Sequence, residues 1–176
     1  MQHKEKQMKL IVACDKEYGI GKDGELLTYL PKDLKRFKSI TMGNIMIMGR
    51  KTIDSLPGGR LLPQRETWIL TRDTSYVKEG ARIFHSIESI RSYTKENQID
   101  TSSIFICGGS EIYQLFLPYC TEAYITQIEH VFDADVKIPN IGSLPGWYLT
   151  FRSDAQWHHD LEYYYLNYEN KSYTQF

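Results

Sequence analysis

The chain has 176 residues, of which 41% are hydrophobic and 24% charged, and its formal net charge is −1. Such a chain is expected to form one globular domain with a core that needs no disulfide or metal. The balanced charge excludes a broad basic surface, so nucleic acid is not expected as the main partner. Apolar runs are too short to span a membrane, no signal-peptide pattern precedes them, and the three cysteines include no CxxC pair. We therefore expect a cytoplasmic protein with reduced thiols and neither a membrane segment nor a metal site.

Residues 1–7 are polar or charged, and the first apolar run follows directly from Met8. This pattern predicts a flexible N-terminal extension, 1–7, and a single domain, 8–176.

Short apolar runs alternate with helical patterns, which predicts an α/β fold. The predicted strands are 10–14, 45–48, 67–71, 82–85, 104–107, 123–129, 148–153 and 161–169. The predicted helices are 31–41, 49–56, 87–95 and 110–117, and a glycine-bearing loop, 15–27, follows the first strand. We expect a mixed, mostly parallel central sheet of about eight strands, flanked by about four helices and closed by an antiparallel pair of the last two strands.

Asp33 is the one charge inside the apolar stripe of the first predicted helix. At 100° per residue it lies between Phe37 and Ile40, on the face that also carries Leu34. The basic residues of this helix point elsewhere: Lys32, Lys35, Arg36 and Lys38. A carboxylate among apolar neighbours costs several kcal/mol, by order of magnitude, unless a specific partner satisfies it. A functional acid is one interpretation, and a first-turn acid that the helix dipole favours is the other.

Two predicted joins share the order strand, glycine, helix, at 45–52 and at 104–111. In a parallel sheet both helices would begin at the same edge and offer free N–H groups to anions. Donor side chains follow the first join: Arg50, Lys51, Thr52 and Ser55. A ligand with several phosphates is indicated, although neither join is a GxGxxG or a P-loop. The alternative is that these glycines only permit tight turns.

Several markers occur in a specific order along the chain: Ile20-Gly21, Leu30-Pro31-Lys32-Asp33-Leu34 with Phe37, Met48-Gly49-Arg50-Lys51-Thr52 with Ser55, Gly108-Gly109 with Tyr113, Leu117-Pro118, and Thr126. Together they resemble dihydrofolate reductase, from about Met8 to the last strand. The resemblance implies NADPH-dependent reduction of 7,8-dihydrofolate to 5,6,7,8-tetrahydrofolate, for one-carbon metabolism and thymidylate synthesis. Hydride would pass to pterin C6 and a proton to N5, in an enzyme that is usually a monomer.

The resemblance also implies a substrate site around Asp33. The carboxylate would accept hydrogen bonds from the pterin N3 and 2-amino groups, with Thr126 as its partner and water as the proton carrier. A carboxyl group in an apolar pocket should have a raised pKa. Arg65 would hold the glutamate tail bidentately, with Arg60 as a nearby competitor. The implied substrate residues are Val12, Ala13, Asp33, Leu34, Phe37, Leu56, Arg65, Cys107, Tyr113 and Thr126.

A cofactor site is implied in the same way. Thr52 and the backbone of 108–113 would hold the pyrophosphate, with a cis peptide between Gly108 and Gly109, and the loop 15–27 would act as a lid. The adenosine 2′-phosphate would be surrounded by Arg50, Thr71 and Arg72, and the nicotinamide by Ala13, Ile20 and Tyr113. The remaining implied cofactor residues are Gly49, Lys51, Ser55, Cys107, Ser110, Glu111 and Ile112.

Thr28 stands where the family usually has a tryptophan that orders a water beside the pterin. Its hydroxyl could still hold that water, so Thr28 joins Asp33 and Thr126 as a candidate catalytic residue. Two rival functions are a pyrimidine reductase of the same fold and a catalytically silent module that binds NADPH or RNA; Asp33 argues against both. His158-His159-Asp160 is predicted to be a hairpin turn rather than a metal site.

Overall fold

The computed structural model describes residues 5–176, which form four α-helices and eleven β-strands. The helices are α1 (Pro31–Thr41), α2 (Arg50–Asp54), α3 (Ile87–Glu96) and α4 (Ser110–Phe116). The strands are β1 (Lys9–Cys14), β2 (Gly19–Gly21), β3 (Ile45–Gly49), β4 (Glu66–Leu70), β5 (Arg82–Phe84), β6 (Ile104–Ile106), β7 (Glu122–Ile128), β8 (Val136–Lys137), β9 (Trp147–Arg152), β10 (Gln156–His158) and β11 (Leu161–Asn170). No helix in the described range is long and apolar enough to cross a membrane.

Nine strands form one mixed sheet in the order β10-β11-β7-β1-β6-β3-β4-β5, with β9 also pairing with β11. Six strands run parallel to one another: β7, β1, β6, β3, β4 and β5. By contrast, β11 runs antiparallel to β7, β9 and β10. The predicted mixed, mostly parallel sheet and the antiparallel pairing of β9 with β11 are therefore confirmed. Every predicted strand and helix coincides with an observed one.

Three short strands were not predicted. β2 and β8 pair with each other in a separate two-stranded sheet, and β10 pairs with the first residues of β11. None of the three contains a run of apolar residues like the one from which β6 was predicted. The predicted turn between β10 and β11 is found at His159-Asp160, while His158 is the last residue of β10. Within residues 5–176 no group of three or more His, Cys, Asp or Glu residues that could hold a metal ion occurs.

Helices cover both faces of the sheet. Ile45 and Ile47 of β3 belong to the larger core with residues of α3 and α4, while Met46 and Met48 pack with Phe37 of α1. This alternation follows from the two-residue period of a strand buried on both faces. The same alternation in β1 places Ala13 on the α1 face, because its neighbours Val12 and Cys14 lie in the larger core.

Gln7 corrects the predicted boundary between the extension and the domain. Residues 1–4 lie outside the described range, but Gln7 is 2% exposed and donates its backbone N–H to Thr121 Oγ1 at 3.0 Å. Its side-chain oxygen accepts the backbone N–H of Phe176 at 3.0 Å. The domain therefore begins at least one residue before Met8. The polar run 1–7 gave no sign of these contacts, because both partners, Thr121 and Phe176, lie far from it in the sequence.

Candidate active site

Asp33 and Thr126 form the centre of the candidate site. Asp33 lies in the first turn of α1, which opens at Pro31, and its Oδ1 accepts a hydrogen bond from Thr126 Oγ1 at 2.5 Å. Thr126 lies within β7 and is only 4% exposed. Burial raises the pKa of Asp33, and the Thr126 bond and the charge of Arg36 partly offset that rise. In residues 5–176 no hydrogen bond engages Asp33 Oδ2, so one carboxylate oxygen is available to a ligand.

Two residues next to Asp33 were not predicted as parts of the site. Arg36 was expected to point away from the apolar stripe, but its guanidinium carbon lies 4.1 Å from the centroid of the Tyr165 ring. Tyr165 was predicted only as part of a strand. The helical projection failed because residues three apart are neighbours on a helix surface, and a long side chain can reach across the remaining angle. That spacing from Asp33 was the signal available in the sequence.

The predicted apolar walls lie beside α1 and the end of β3. Leu34 is 40% exposed, while Phe37 and Leu56 are half-buried against the Met46–Met48 cluster, which is formed by Met46, Met48, Ile53 and Ile69. An exposed leucine one residue after a partly buried acid leaves apolar surface for a ring to contact. Thr28 is half-buried in the segment that leads into α1.

Arg65 and Arg60 differ in how firmly they are held. Arg65 is half-buried, and it donates Nη1–H to Thr41 Oγ1 at 3.3 Å and Nε–H to the carbonyl of Pro63 at 3.0 Å. Burial lowers the pKa of Arg65. Arg60 is exposed in the turn after Pro57–Gly59. Arg65 is thus the guanidinium oriented against α1, and this geometry favours it over Arg60.

The predicted lid is tied down at its start by Asp15, a residue that sequence reasoning did not single out. Its buried carboxylate accepts the backbone N–H groups of Glu17 at 2.9 Å, Gly19 at 2.8 Å and Phe132 at 3.0 Å. A Cβ on Gly19 would lie 2.4 Å from the Cβ of Ala134, so only glycine fits there. The half-buried Ile20 is held in β2 against β8 by this arrangement.

The two glycine joins lie at the same edge of the sheet, as the sequence predicted, and the structure shows that they are neighbours. β3 and β6 are parallel neighbours, and the Gly49 N–H donates to the Gly108 carbonyl at 2.8 Å. The Gly108–Gly109 peptide is cis, as the resemblance implied. Gly49 and Gly109 are the N-cap residues of α2 and α4, and neither helix start has a side-chain cap. Both helices therefore begin at one edge with N–H groups open to an anion.

The remaining predicted cofactor residues lie near these joins and differ in burial and in hydrogen-bond partners. A Cβ on Gly109 would lie 3.4 Å from Thr52 Oγ1, so the Thr52 hydroxyl borders the joins. The Tyr113 hydroxyl donates to the Ile11 carbonyl at 2.7 Å, and burial raises its pKa. Ser55 and Ser110 donate their hydroxyls to the carbonyls of Thr52 and Lys137, both at 2.7 Å. Ile112 is buried, and the two charged residues are exposed: Lys51 and Glu111.

Val12 and Cys107 lie on opposite faces of the sheet. Val12 is 8% exposed and belongs to the larger core, on the face away from α1, so only its backbone can face the substrate site. Cys107 packs beside the Met46–Met48 cluster, and burial raises the pKa of its thiol. The sequence showed that both residues were apolar but not which face of the sheet they would occupy.

Arg50 already has an acidic partner near the predicted 2′-phosphate site. Its Nη1 lies 3.1 Å from Asp73 Oδ2, and its guanidinium carbon lies 5.9 Å from the ring centroid of Tyr76. Thr71 Oγ1 accepts the backbone N–H of Asp73 at 3.1 Å, while Arg72 is exposed. The structure thus brings Arg50 and Thr71 together around Asp73, which sequence reasoning had not included.

Comparison with known proteins gives a consistent result. The family model described as Dihydrofolate reductase matches residues 7–170. The dihydrofolate reductase of Staphylococcus haemolyticus is 38% identical over 133 residues, 76% of each chain, and that of Bacillus subtilis is 32% identical over 169 residues, 94% of this chain and 95% of the relative. The solved structure of the Enterococcus faecalis dihydrofolate reductase complexed with NADP(H) and RAB-propyl superposes with a TM-score of 0.83 at 31% identity, covering 94% of this chain and 96% of that one. On this evidence the chain belongs to the dihydrofolate reductase family.

Proposed function

We propose that the chain reduces 7,8-dihydrofolate to 5,6,7,8-tetrahydrofolate with NADPH, and that Asp33 binds the pterin and favours its protonation. The observation that carries the proposal is the Asp33–Thr126 hydrogen bond at 2.5 Å beside exposed apolar surface. Membership of the dihydrofolate reductase family supports the reaction, and the contacts of Asp33 support its role in it.

The Asp33 carboxylate has enough acceptor capacity for the two donors of the pterin edge. Oδ1 accepts the Thr126 hydroxyl and keeps a second lone pair, so Oδ1 and Oδ2 together can accept the N3–H and 2-amino groups. A raised pKa brings the acid closer to neutrality than an exposed aspartate, so the site retains a proton more readily. We place a water between this acid and pterin N5, held by the hydroxyl of Thr28 in place of the family's tryptophan.

The residues at the glycine joins fit a dinucleotide. A Cβ on Gly49 would lie 3.3 Å from the side chain of Ile112, and one on Gly109 would lie 3.4 Å from Thr52 Oγ1, so the two uncapped helix starts lie close together. Thr52, Gly109 and Ser110 would hold the pyrophosphate, and Arg50 with Thr71 the 2′-phosphate. When bound, NADPH supplies the hydride for pterin C6. The role of the chain is to orient both rings and to exclude water with the loop 15–27.

Arg65 is the residue that we assign to the glutamate tail. Its guanidinium donates hydrogen bonds to Thr41 and Pro63. Thr41 is the last residue of α1, so Arg65 lies at the end of the helix opposite to Asp33. A planar fork held in this way can bind a carboxylate bidentately. We further propose that the enzyme works as a monomer in the cytoplasm, with only small molecules as its ligands.

The test is the loss of reduced-nicotinamide absorbance when the protein is mixed with NADPH and 7,8-dihydrofolate. The wild type should oxidise NADPH rapidly, and Asp33→Asn should be slower by at least about a hundredfold near neutral pH, as expected for loss of an acid–base group. Asp160→Asn, in the β10–β11 turn, is the matched control for the same chemical change and should retain full activity. A folded Asp33→Asn variant with wild-type rates would exclude the role of Asp33, and an inactive wild type would exclude the reaction.

A further inference from the structure

α1 presents a fixed positive charge beside the candidate acid. Arg36 follows Asp33 by three residues, so the two side chains are neighbours on the helix surface. Arg36 is half-buried, with its guanidinium carbon 4.1 Å from the centroid of the Tyr165 ring. A guanidinium stacked on an aromatic face is held in one place, unlike a free surface arginine. The charge beside Asp33 therefore has a defined position.

The aromatic platform belongs to the same part of the sheet as Thr126. Tyr165 of β11 is directly opposite Thr126 of β7. The Tyr165 N–H donates to Ser153 Oγ at 2.9 Å and its carbonyl accepts the Ser153 N–H at 2.9 Å, so neither backbone group bonds to β7. Tyr165 and Thr126 thus form the narrow, non-hydrogen-bonded type of antiparallel pair, with Cα atoms about 4.5 Å apart and side chains on one face.

Four side chains, including the acid itself, consequently form a ring of successive contacts. Asp33 bonds to Thr126, Thr126 is opposite Tyr165, Tyr165 stacks on Arg36, and Arg36 lies one helical turn from Asp33. The groups that face Asp33 are Arg36 from α1, Thr126 from β7 and Tyr165 from β11. Burial raises the pKa of the Tyr165 phenol, as does the charge of Asp33, so Tyr165 remains neutral where the enzyme works. Arg36 is then the one full positive charge among these groups.

We propose that Arg36, held in place by the Tyr165 ring, is a positioning residue that sets the pH at which the reduction slows. The proposal rests on the role proposed above for Asp33. Reduction at pterin C6 consumes one proton at N5, so the rate falls as the site loses its proton with rising pH. A nearby positive charge disfavours the protonated form of Asp33 and of the pterin alike. Removing that charge should therefore move the loss of activity to higher pH, whichever group holds the proton.

The primary test compares the pH dependence of kcat/KM for dihydrofolate, at saturating NADPH, in variants of matched charge. The descending limb is the part of the profile in which kcat/KM falls with rising pH. Arg36→Gln should move it to higher pH by about half to one unit, because the charge acts from one helical turn away in a partly solvated site. Arg36→Met, a second neutral variant, should do the same. Arg36→Lys keeps the charge and should move it less. Lys35→Gln removes one charge from the exposed side of the same helix and should leave the limb unchanged.

A second readout needs neither substrate nor NADPH. The titration of the Asp33 carboxyl carbon can be followed by 13C NMR in the free protein, with Asp33→Asn identifying the resonance. Arg36→Gln should raise its midpoint in the same direction as the kinetic limb. A change in overall stability would not move this midpoint, so the measurement separates an electrostatic role from a structural one.

The Tyr165 variants test whether the Tyr165 ring holds Arg36 in place. Tyr165→Phe keeps the ring and should leave the limb unchanged, whereas Tyr165→Leu should move it upward by less than Arg36→Gln does. The double variant should shift no further than Arg36→Gln alone, since the ring acts through the arginine. Equal shifts in Arg36→Gln and Lys35→Gln, or no shift in either Arg36 variant, would overturn the proposal. If Asp33→Asn kept wild-type activity, the role of Asp33 would fail instead, and the two failures are thus distinguishable.

Discussion

Thr126→Val removes the hydroxyl that bonds to Asp33 and keeps nearly the same volume. The bond is 2.5 Å long, Thr126 is 4% exposed, and burial already raises the pKa of Asp33. Loss of a hydrogen bond to a charged, partly buried acceptor costs about 1.5–3 kcal/mol. Because Asp33 can still be reached by water, we expect the lower end, about 1.5 kcal/mol, which corresponds to roughly a tenfold loss of kcat/KM. Thr126→Ser keeps the hydroxyl and should retain most of the activity.

The same variant should show a characteristic pH dependence of stability. A carboxyl group whose pKa is raised on folding favours the folded state at low pH, and that contribution is lost as pH rises through the folded pKa. Without the Thr126 donor the pKa of Asp33 rises further, so the loss continues to higher pH. The difference in unfolding free energy between wild type and Thr126→Val, from urea titrations, should be larger at about pH 8 than at about pH 4.5. A difference independent of pH, with unchanged kcat/KM, would refute this account of the bond.

Three further variants test the lid, the cofactor site and the substrate tail. Gly19→Ala should lower the unfolding free energy by about 1–3 kcal/mol through overpacking, because its Cβ would lie 2.4 Å from a neighbouring side-chain carbon; an unchanged urea midpoint would contradict this. Asp73→Asn should release Arg50 and lower the KM for NADPH about two- to fivefold while the KM for NADH stays constant, and a parallel change in both would argue against a 2′-phosphate site. Arg65→Lys should raise the KM for dihydrofolate about tenfold by losing a bidentate contact, whereas Arg60→Lys should have no effect; the reverse order would assign the tail to Arg60.

The elements of this fold could be located in the sequence because their signals are local. β3 is visible in the sequence as an apolar run, and α1 as a stripe of apolar residues in a helix that begins at Pro31. The joins at Gly49 and Gly108 are visible as a strand pattern followed by a helix pattern. Asp33 was recognisable as a candidate because a charge broke that stripe. Each of these signals depends on residues within a few positions of one another, where helix and strand periods apply.

The tertiary structure decided which distant residues meet, since local patterns predict no such contact and the family resemblance implied only that of Asp33 with Thr126. The Asp33–Thr126 bond spans 93 residues, the stacking of Arg36 on Tyr165 depends on the register of β11 against β7, and Gln7 is buried through contacts with the C-terminal residues. Strand order and register arise from the joint packing of all layers, which no local period encodes. The sequence by itself thus located the four helices, eight of the eleven strands and the acid, but not β2, β8 and β10. The contact of Arg36 with Tyr165 beside the acid followed only from the way the sheet brings β7 and β11 under α1.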